Sequence, residues 1–126
     1  MENLIIEPTA QEAGVNFNAS AGELKLWGKS FSYDSSTFYL RLKDWVRDYI
    51  SSPAEETTFI CFMEYVNSSS QKHLAELLFM LNEITSKGKQ LHVIWKYEDG
   101  DDDMCFLGEL INDEMSIPMQ FKEELI

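Results

Sequence analysis

Histidine, cysteine and proline are scarce, with two, two and three residues among 126. The histidines, His73 and His92, stand in no HExxH pair, and no Gly-x-Ser-x-Gly elbow, Walker loop or Rossmann glycine pattern accompanies them. A catalytic residue and a metal site therefore have no sequence support. Cys61 and Cys105 are isolated, without CxxC spacing, and read as free thiols of a reducing compartment. No apolar run approaches the length of a bilayer span, and MENLIIEPTAQEAG has neither the basic start nor the apolar stretch of a secretory signal. A cytoplasmic location is expected. Basic residues are also few, 10 against 22 acidic ones, for a net charge of −12. Phosphate backbones and acidic membrane surfaces would be repelled, which excludes nucleic acid and membrane as partners; a basic protein surface would be attracted.

What is present suffices for one core. Apolar residues make up 44% of the chain and aromatics 13%, and 126 residues suit a single domain spanning 1–126. Leu4–Ile6, Val15–Ala19 and Glu23–Trp27 are short alternating runs punctuated by Gly14, Gly22 and Gly28. They predict two or three antiparallel strands, with NASAG as the turn between the last two. In SYDSSTFYLRLKDWVRDYISSP, Phe38, Leu42, Trp45, Val46 and Tyr49 recur at helical spacing. Arg41, Lys43, Asp44, Arg47 and Asp48 fall on the other face, with an N-cap from Asp34 to Ser36 and a stop at Pro53.

Thr57–Val66 (TTFICFMEYV) and Leu91–Tyr97 (LHVIWKY) are almost continuously apolar, as strands covered on both faces are. Between them a helix from about Ser69 to Ser86 carries a core stripe of Leu74, Leu77, Leu78, Leu81 and Ile84. Lys87-Gly88 is its stop signal. This βαβ unit requires a parallel pair and a right-handed crossover, and two strands apolar on both faces should lie side by side in the middle of one sheet. The acidic run Glu98–Asp103 leads into a third helical pattern, Met104, Leu107, Leu110 and Ile111, and Met119–Phe121 supplies a last short strand. The order predicts an α/β domain with three main helices on a mixed sheet.

Two constellations remain. EDGDDD at 98–103 lacks the ordered spacing and terminal Glu of a calcium loop, and reads as a solvated approach to a helix N-terminus. Neither it nor His92 is expected to converge on the second constellation, Asn67-Ser68-Ser69-Ser70. These residues stand where the buried strand hands over to the helix. A helix N-terminus offers unpaired N–H groups and partial positive charge, so a phosphoryl group on a serine there is well solvated. A plain N-cap, worth about 1 kcal/mol, accounts for the same residues.

The segment FMEYVNSSSQKHLAELLFMLNE (62–83) resembles the phosphoacceptor segment of the SiaC family of regulatory phosphoproteins. Tyr-x-Asn ends the strand, hydroxyl residues follow, and an amphipathic helix begins. Gly22-Glu23-Leu24, Gly28-Lys29-Ser30, the Trp45 helix, Trp95-Lys96-Tyr97 and Pro118-Met119 extend the likeness along the chain. The resemblance implies a STAS-like fold, related to anti-sigma factor antagonists. It implies a non-enzymatic protein that, unphosphorylated, binds and activates a diguanylate cyclase of the GGDEF type. A Ser/Thr kinase and a PP2C-type phosphatase would set its state, and no cofactor is implied. Ser68 stands at the acceptor position, where the family's best-known member has threonine, with Ser69 and Ser70 as alternative hydroxyls. Partner contacts are expected from Asn67, Ser68, Ser69, Lys72 and Phe79, the last an outward apolar residue on the helix. An anti-sigma factor antagonist and, more remotely, a small serine hydrolase built on Ser68 are the rival readings.

Overall fold

A computed structural model describes residues 1–125; the last residue of the expected 1–126 domain lies outside the described residues. The chain runs β1 (Leu4–Ile6), β2 (Gly14–Asn18), β3 (Glu23–Ser30), α1 (Ser35–Ser51), β4 (Glu56–Val66), α2 (Ser68–Leu81), β5 (Gln90–Glu98), α3 (Asp102–Asn112) and β6 (Gln120–Glu124). A 3-10 segment, Asn82–Lys87, continues α2 and ends at Gly88, whose φ of 76° only glycine adopts at low cost. The helix expected over 69–86 is thus an α-helix that tightens in its last turn and a half.

All six strands form one sheet in the order β1-β2-β3-β4-β5-β6. The first three are antiparallel, as their short connections require, and each later pair is parallel across a helical crossover. The strands 57–66 and 91–97 are therefore adjacent, parallel and central, in register from Glu56 opposite Gln90 to Phe62 opposite Lys96.

The covering of the sheet differs from the expectation. Thr57, Phe59, Cys61 and Met63 of β4 are buried, while Thr58, Ile60 and Phe62 between them are only half-buried. Leu91, Val93 and Trp95 of β5 alternate with half-buried His92, Ile94 and Lys96 in the same way. The helices cover one face, and the other faces solvent. The run was apolar throughout because both faces carry apolar residues, not because both are covered. His92 lies on the open face with Nε2 3.4 Å from Glu56.

The covered face holds the core: Leu24, Leu26, Phe59 and Trp95 from the sheet meet Leu42, Val46, Leu74, Leu77 and Leu78 from the helices. Buried polar groups pair within it. The Tyr39 and Ser30 hydroxyls lie 2.9 Å apart, and those of Tyr49 and Thr57 2.7 Å apart. Trp95 donates its indole N–H to the carbonyl of Met104 at 2.9 Å. Gly108 lets α3 approach that indole: a Cβ there would sit 2.6 Å from the ring. Three residues depart from the predicted helical faces. Tyr39 is fully buried although no apolar stripe included it. Lys43, assigned to the solvent face, lies largely covered between α1 and α2. Leu110, assigned to the core, is exposed.

Candidate functional site

The junction between β4 and α2 is built by a cap. Asn67 has extended backbone and its Oδ1 accepts the N–H of Ser70 at 2.9 Å. Gln71 donates its backbone N–H to the Asn67 carbonyl at 2.9 Å and its side-chain amide to the Val66 carbonyl at 3.1 Å. The N–H groups of Ser68 and Ser69 open the helix without intrahelical partners. A bulge at Gly28/Lys29 brings the end of β3 alongside, and Asn67 donates its N–H to the Ser30 carbonyl at 3.0 Å.

The three candidate hydroxyls have different surroundings. Ser68 is exposed on the first helical residue. Ser69 is exposed too, but its Oγ lies 2.7 Å from the Ser35 hydroxyl at the start of α1. Ser70 is fully buried, and its Oγ has no hydrogen-bond partner among the described residues. A kinase can reach Ser70 only if the helix opens.

Ser68 stands on the wall of a cleft of about 430 Å³ between the end of β4, the first turn of α2 and one side of α3. Tyr65, Phe106 and Leu110 supply exposed apolar walls, and Asp101 and Asp103 supply carboxylates. The expectation that the acidic run stays away from Ser68 is thus overturned for these two residues; His92, on the open sheet face, does stay away. The physical reason is topological: α3 begins at the carboxyl end of β5, beside the carboxyl end of β4 where α2 begins. The expectation that 98–103 leads into a helix N-terminus holds. Asp101 is the N-cap, its Oδ1 accepting the N–H of Met104 at 3.0 Å.

Lys72 and Phe79 are exposed on α2, Phe79 at 38%. At about 100° per residue, Ser68, Lys72 and Phe79 fall within roughly 40° of one another, so they share one outer stripe. Phe106 and Phe31 had no place in the sequence reading, and Tyr65 entered it only as the first residue of Tyr-x-Asn. Phe106 carried a usable signal, since it is out of phase with the Met104–Ile111 stripe. Tyr65 and Phe31 meet edge-on at 5.8 Å across β4 and the loop after β3, a contact only the fold creates.

Beneath this stripe a polar cluster ties α2 to α1. Lys43 donates to Glu76 at 2.8 Å and lies 3.0 Å from His73 Nδ1. His73 stacks on Tyr39 with ring centroids 5.5 Å apart. Desolvation and then the Lys43 charge hold the His73 imidazole below its ordinary 6.5, and the hydrogen bond from Lys43 holds Glu76 below 4.5. His73 Nε2 lies 3.4 Å from the Ser36 hydroxyl. His73 is therefore engaged with α1 and is not placed as a base for Ser68.

These features define a class: a mixed α/β domain that presents a capped, hydroxyl-bearing strand-to-helix junction beside an open cleft, with no histidine set to activate it. The chain belongs to the SiaC family of regulatory phosphoproteins, whose model matches residues 6–124. An uncharacterised protein of Pseudomonas aeruginosa (strain UCBPP-PA14) is 24% identical over 118 residues, 94% of each chain. SiaC of Pseudomonas aeruginosa superimposes with a TM-score of 0.89 at 22% identity, over 98% of this chain and 100% of that one. The crystal structure of diguanylate cyclase SiaD in complex with its activator SiaC, from the same organism, matches with a TM-score of 0.88 at 22% identity, over 96% and 99%. These similarities establish the fold. Family membership places the chain among regulatory phosphoproteins rather than hydrolases.

Proposed function

We propose that this chain is a phosphorylation-switched activator of a diguanylate cyclase, with Ser68 as the acceptor. The observation that carries the reading is the position of Ser68, exposed on the first turn of α2 and on the wall of the cleft it shares with Tyr65, Phe106 and Leu110. The solved complex in which SiaC activates the cyclase SiaD has this fold, which supports a cyclase as partner. A Ser/Thr kinase would add the phosphate and a PP2C-type phosphatase remove it, in the cytoplasm.

The physics of the switch is local. Phosphate adds about −1.5 to −2 charge at neutral pH. The α2 dipole favours an anion at its N-terminus by about 0.3–1 kcal/mol, so the helix persists. Lys72, one turn on, is the nearest cation along α2 for the new charge. A partner seated over residues 67–72 and the cleft has to desolvate a dianion beside Asp101 and Asp103, which costs far more than it returns.

The test is direct. Unphosphorylated protein serves as bait, and recovered proteins are identified by mass spectrometry. A GGDEF-type cyclase, bound by wild type and Ser68→Ala but weakly by Ser68→Asp, is the expected result. Recovery of an anti-sigma kinase instead would make the chain an anti-sigma factor antagonist. Equal cyclase affinity for modified and unmodified protein would reduce the serines to a helix cap.

A further inference from the structure

We propose that the open face of the sheet is a contact surface for a second copy of this chain. Alternation along the strands and their register place Glu23, Lys25 and Trp27 of β3, Glu56, Thr58, Ile60, Phe62 and Glu64 of β4, and His92, Ile94, Lys96 and Glu98 of β5 on this side. Gln120, Lys122 and Glu124 of β6 complete it. Trp27 is 36% exposed and lies across Gly14, where even a Cβ would approach the indole to 2.4 Å. Two adjoining hollows of about 230 and 210 Å³ share Trp27 and Phe62 as their walls. An apolar centre is therefore ringed by charges of both signs, the anatomy of an interface.

Charge selects the occupant. Five carboxylates and three lysines give this face −2, leaving −10 of the chain's −12 elsewhere. Its charges also pair among themselves, Lys25 with Glu23 and Lys96 and Lys122 with Glu124, and His92 Nε2 lies 3.4 Å from Glu56. The helices hold little of that remainder: α1 is +1, α2 and the 3-10 segment are neutral and α3 is −3, so most of it lies in the termini and connecting segments. A second copy, itself acidic, meets little repulsion at this face.

The face also complements itself. A two-fold axis along β4, in the plane of the contact, sets Ile60 and Phe62 against their own mates. It lays Trp27 on Lys96 of the other copy and brings Glu23 to His92. Glu56 and Glu64 fall at the strand ends, where water reaches them. Four strands about 4.8 Å apart and some 20 Å of strand length give ~800 Å² for both copies together, below the standard size for a specific contact. The dimer is accordingly weak and reversible.

The test is sedimentation equilibrium of the full chain between about 5 and 500 µM, a range suited to a contact of this size. The weight-average mass should rise from 14.6 kDa toward twice that value, and more steeply at high salt, because salt screens the −10 elsewhere. Phe62→Glu should stay monomeric throughout, and Lys96→Glu, which removes the cation set opposite Trp27 together with its pair to Glu124, should weaken association about tenfold, or ~1.4 kcal/mol. Phe79→Asp, on the helical side, should associate like wild type, and circular dichroism checks each fold. A wild-type chain that is monomeric at every concentration overturns the proposal. So does association that weakens with salt, or that survives both open-face variants and is lost in Phe79→Asp.

Discussion

Serine hydroxyls one residue apart differ here in what surrounds them, and that difference orders their chemistry. Ser68 is exposed and carries the proposed modification; Ser69 shares a hydrogen bond with Ser35; Ser70 is sealed in the core. Kinase treatment of folded protein should place one phosphate on Ser68, and Ser68→Ala should remove it; tandem mass spectrometry reads the site directly. A phosphate on Ser70 in folded protein would contradict the burial. His73 offers a second residue-scale expectation. The fold holds its pKa down, so the neutral form is the one it stabilises. That stability is complete above 6.5, the ordinary value, and is lost as the pH falls from there through the lowered folded value. The NMR titration of His73 should have its midpoint below 6.5 and move upward in Lys43→Met, which removes a cation next to it. An unmoved midpoint would mean that Lys43 exerts no field on the ring.

Caps and close approaches decide how each element is held. Asn67→Ala removes the acceptor for the Ser70 N–H and should cost about 1 kcal/mol in denaturant unfolding. The loss should appear without a change in the slope against denaturant, since the core is untouched. Gly108 and Gly14 make a contrast. Both face an indole inside van der Waals distance of a Cβ. At Gly108 the ring is Trp95, fully buried and hydrogen-bonded to α3, so Gly108→Ala has to push the helix away, at about 1–3 kcal/mol. At Gly14 the ring is Trp27, 36% exposed on the open face where it can give way toward solvent, so Gly14→Ala should cost less. Thermal unfolding of the two variants separates them, and equal losses would mean Trp27 is as fixed as Trp95. On α2, Phe79→Asp should leave the melting temperature near wild type and weaken cyclase binding, because the residue faces outward on the Ser68–Lys72 stripe. Normal binding by the folded variant would make Phe79 a bystander.

At the scale of the whole molecule, topology divides the surface into a helical side and an open sheet face. The helical side carries Ser68 and its cleft with the carboxylates of Asp101 and Asp103; the sheet side is apolar at its centre. Periodicity gave the type and order of the main elements, with the N-terminal strands left at two or three and the 3-10 segment Asn82–Lys87 read as part of one helix. Spacing of two reads a strand and spacing near 3.6 reads a helix whatever lies around them, so the three helices, the parallel β4–β5 pair and the strand-to-helix junction were legible. The role proposed for the junction came from the resemblance of Tyr-x-Asn and the hydroxyls after it to the SiaC family, and not from periodicity. Contacts between elements were not. Whether TTFICFMEYV is covered on one face or two depends on where the helices pack, and the run itself is apolar either way. Lys43 read as a solvated charge until α2 supplied Glu76 and His73 as its partners. Asp101 and Asp103 read as a distant loop until the parallel order of β4 and β5 set α3 beside α2. Local spacing fixes which way a side chain points from its own axis. Only the crossing of chain segments far apart in sequence decides what it meets there.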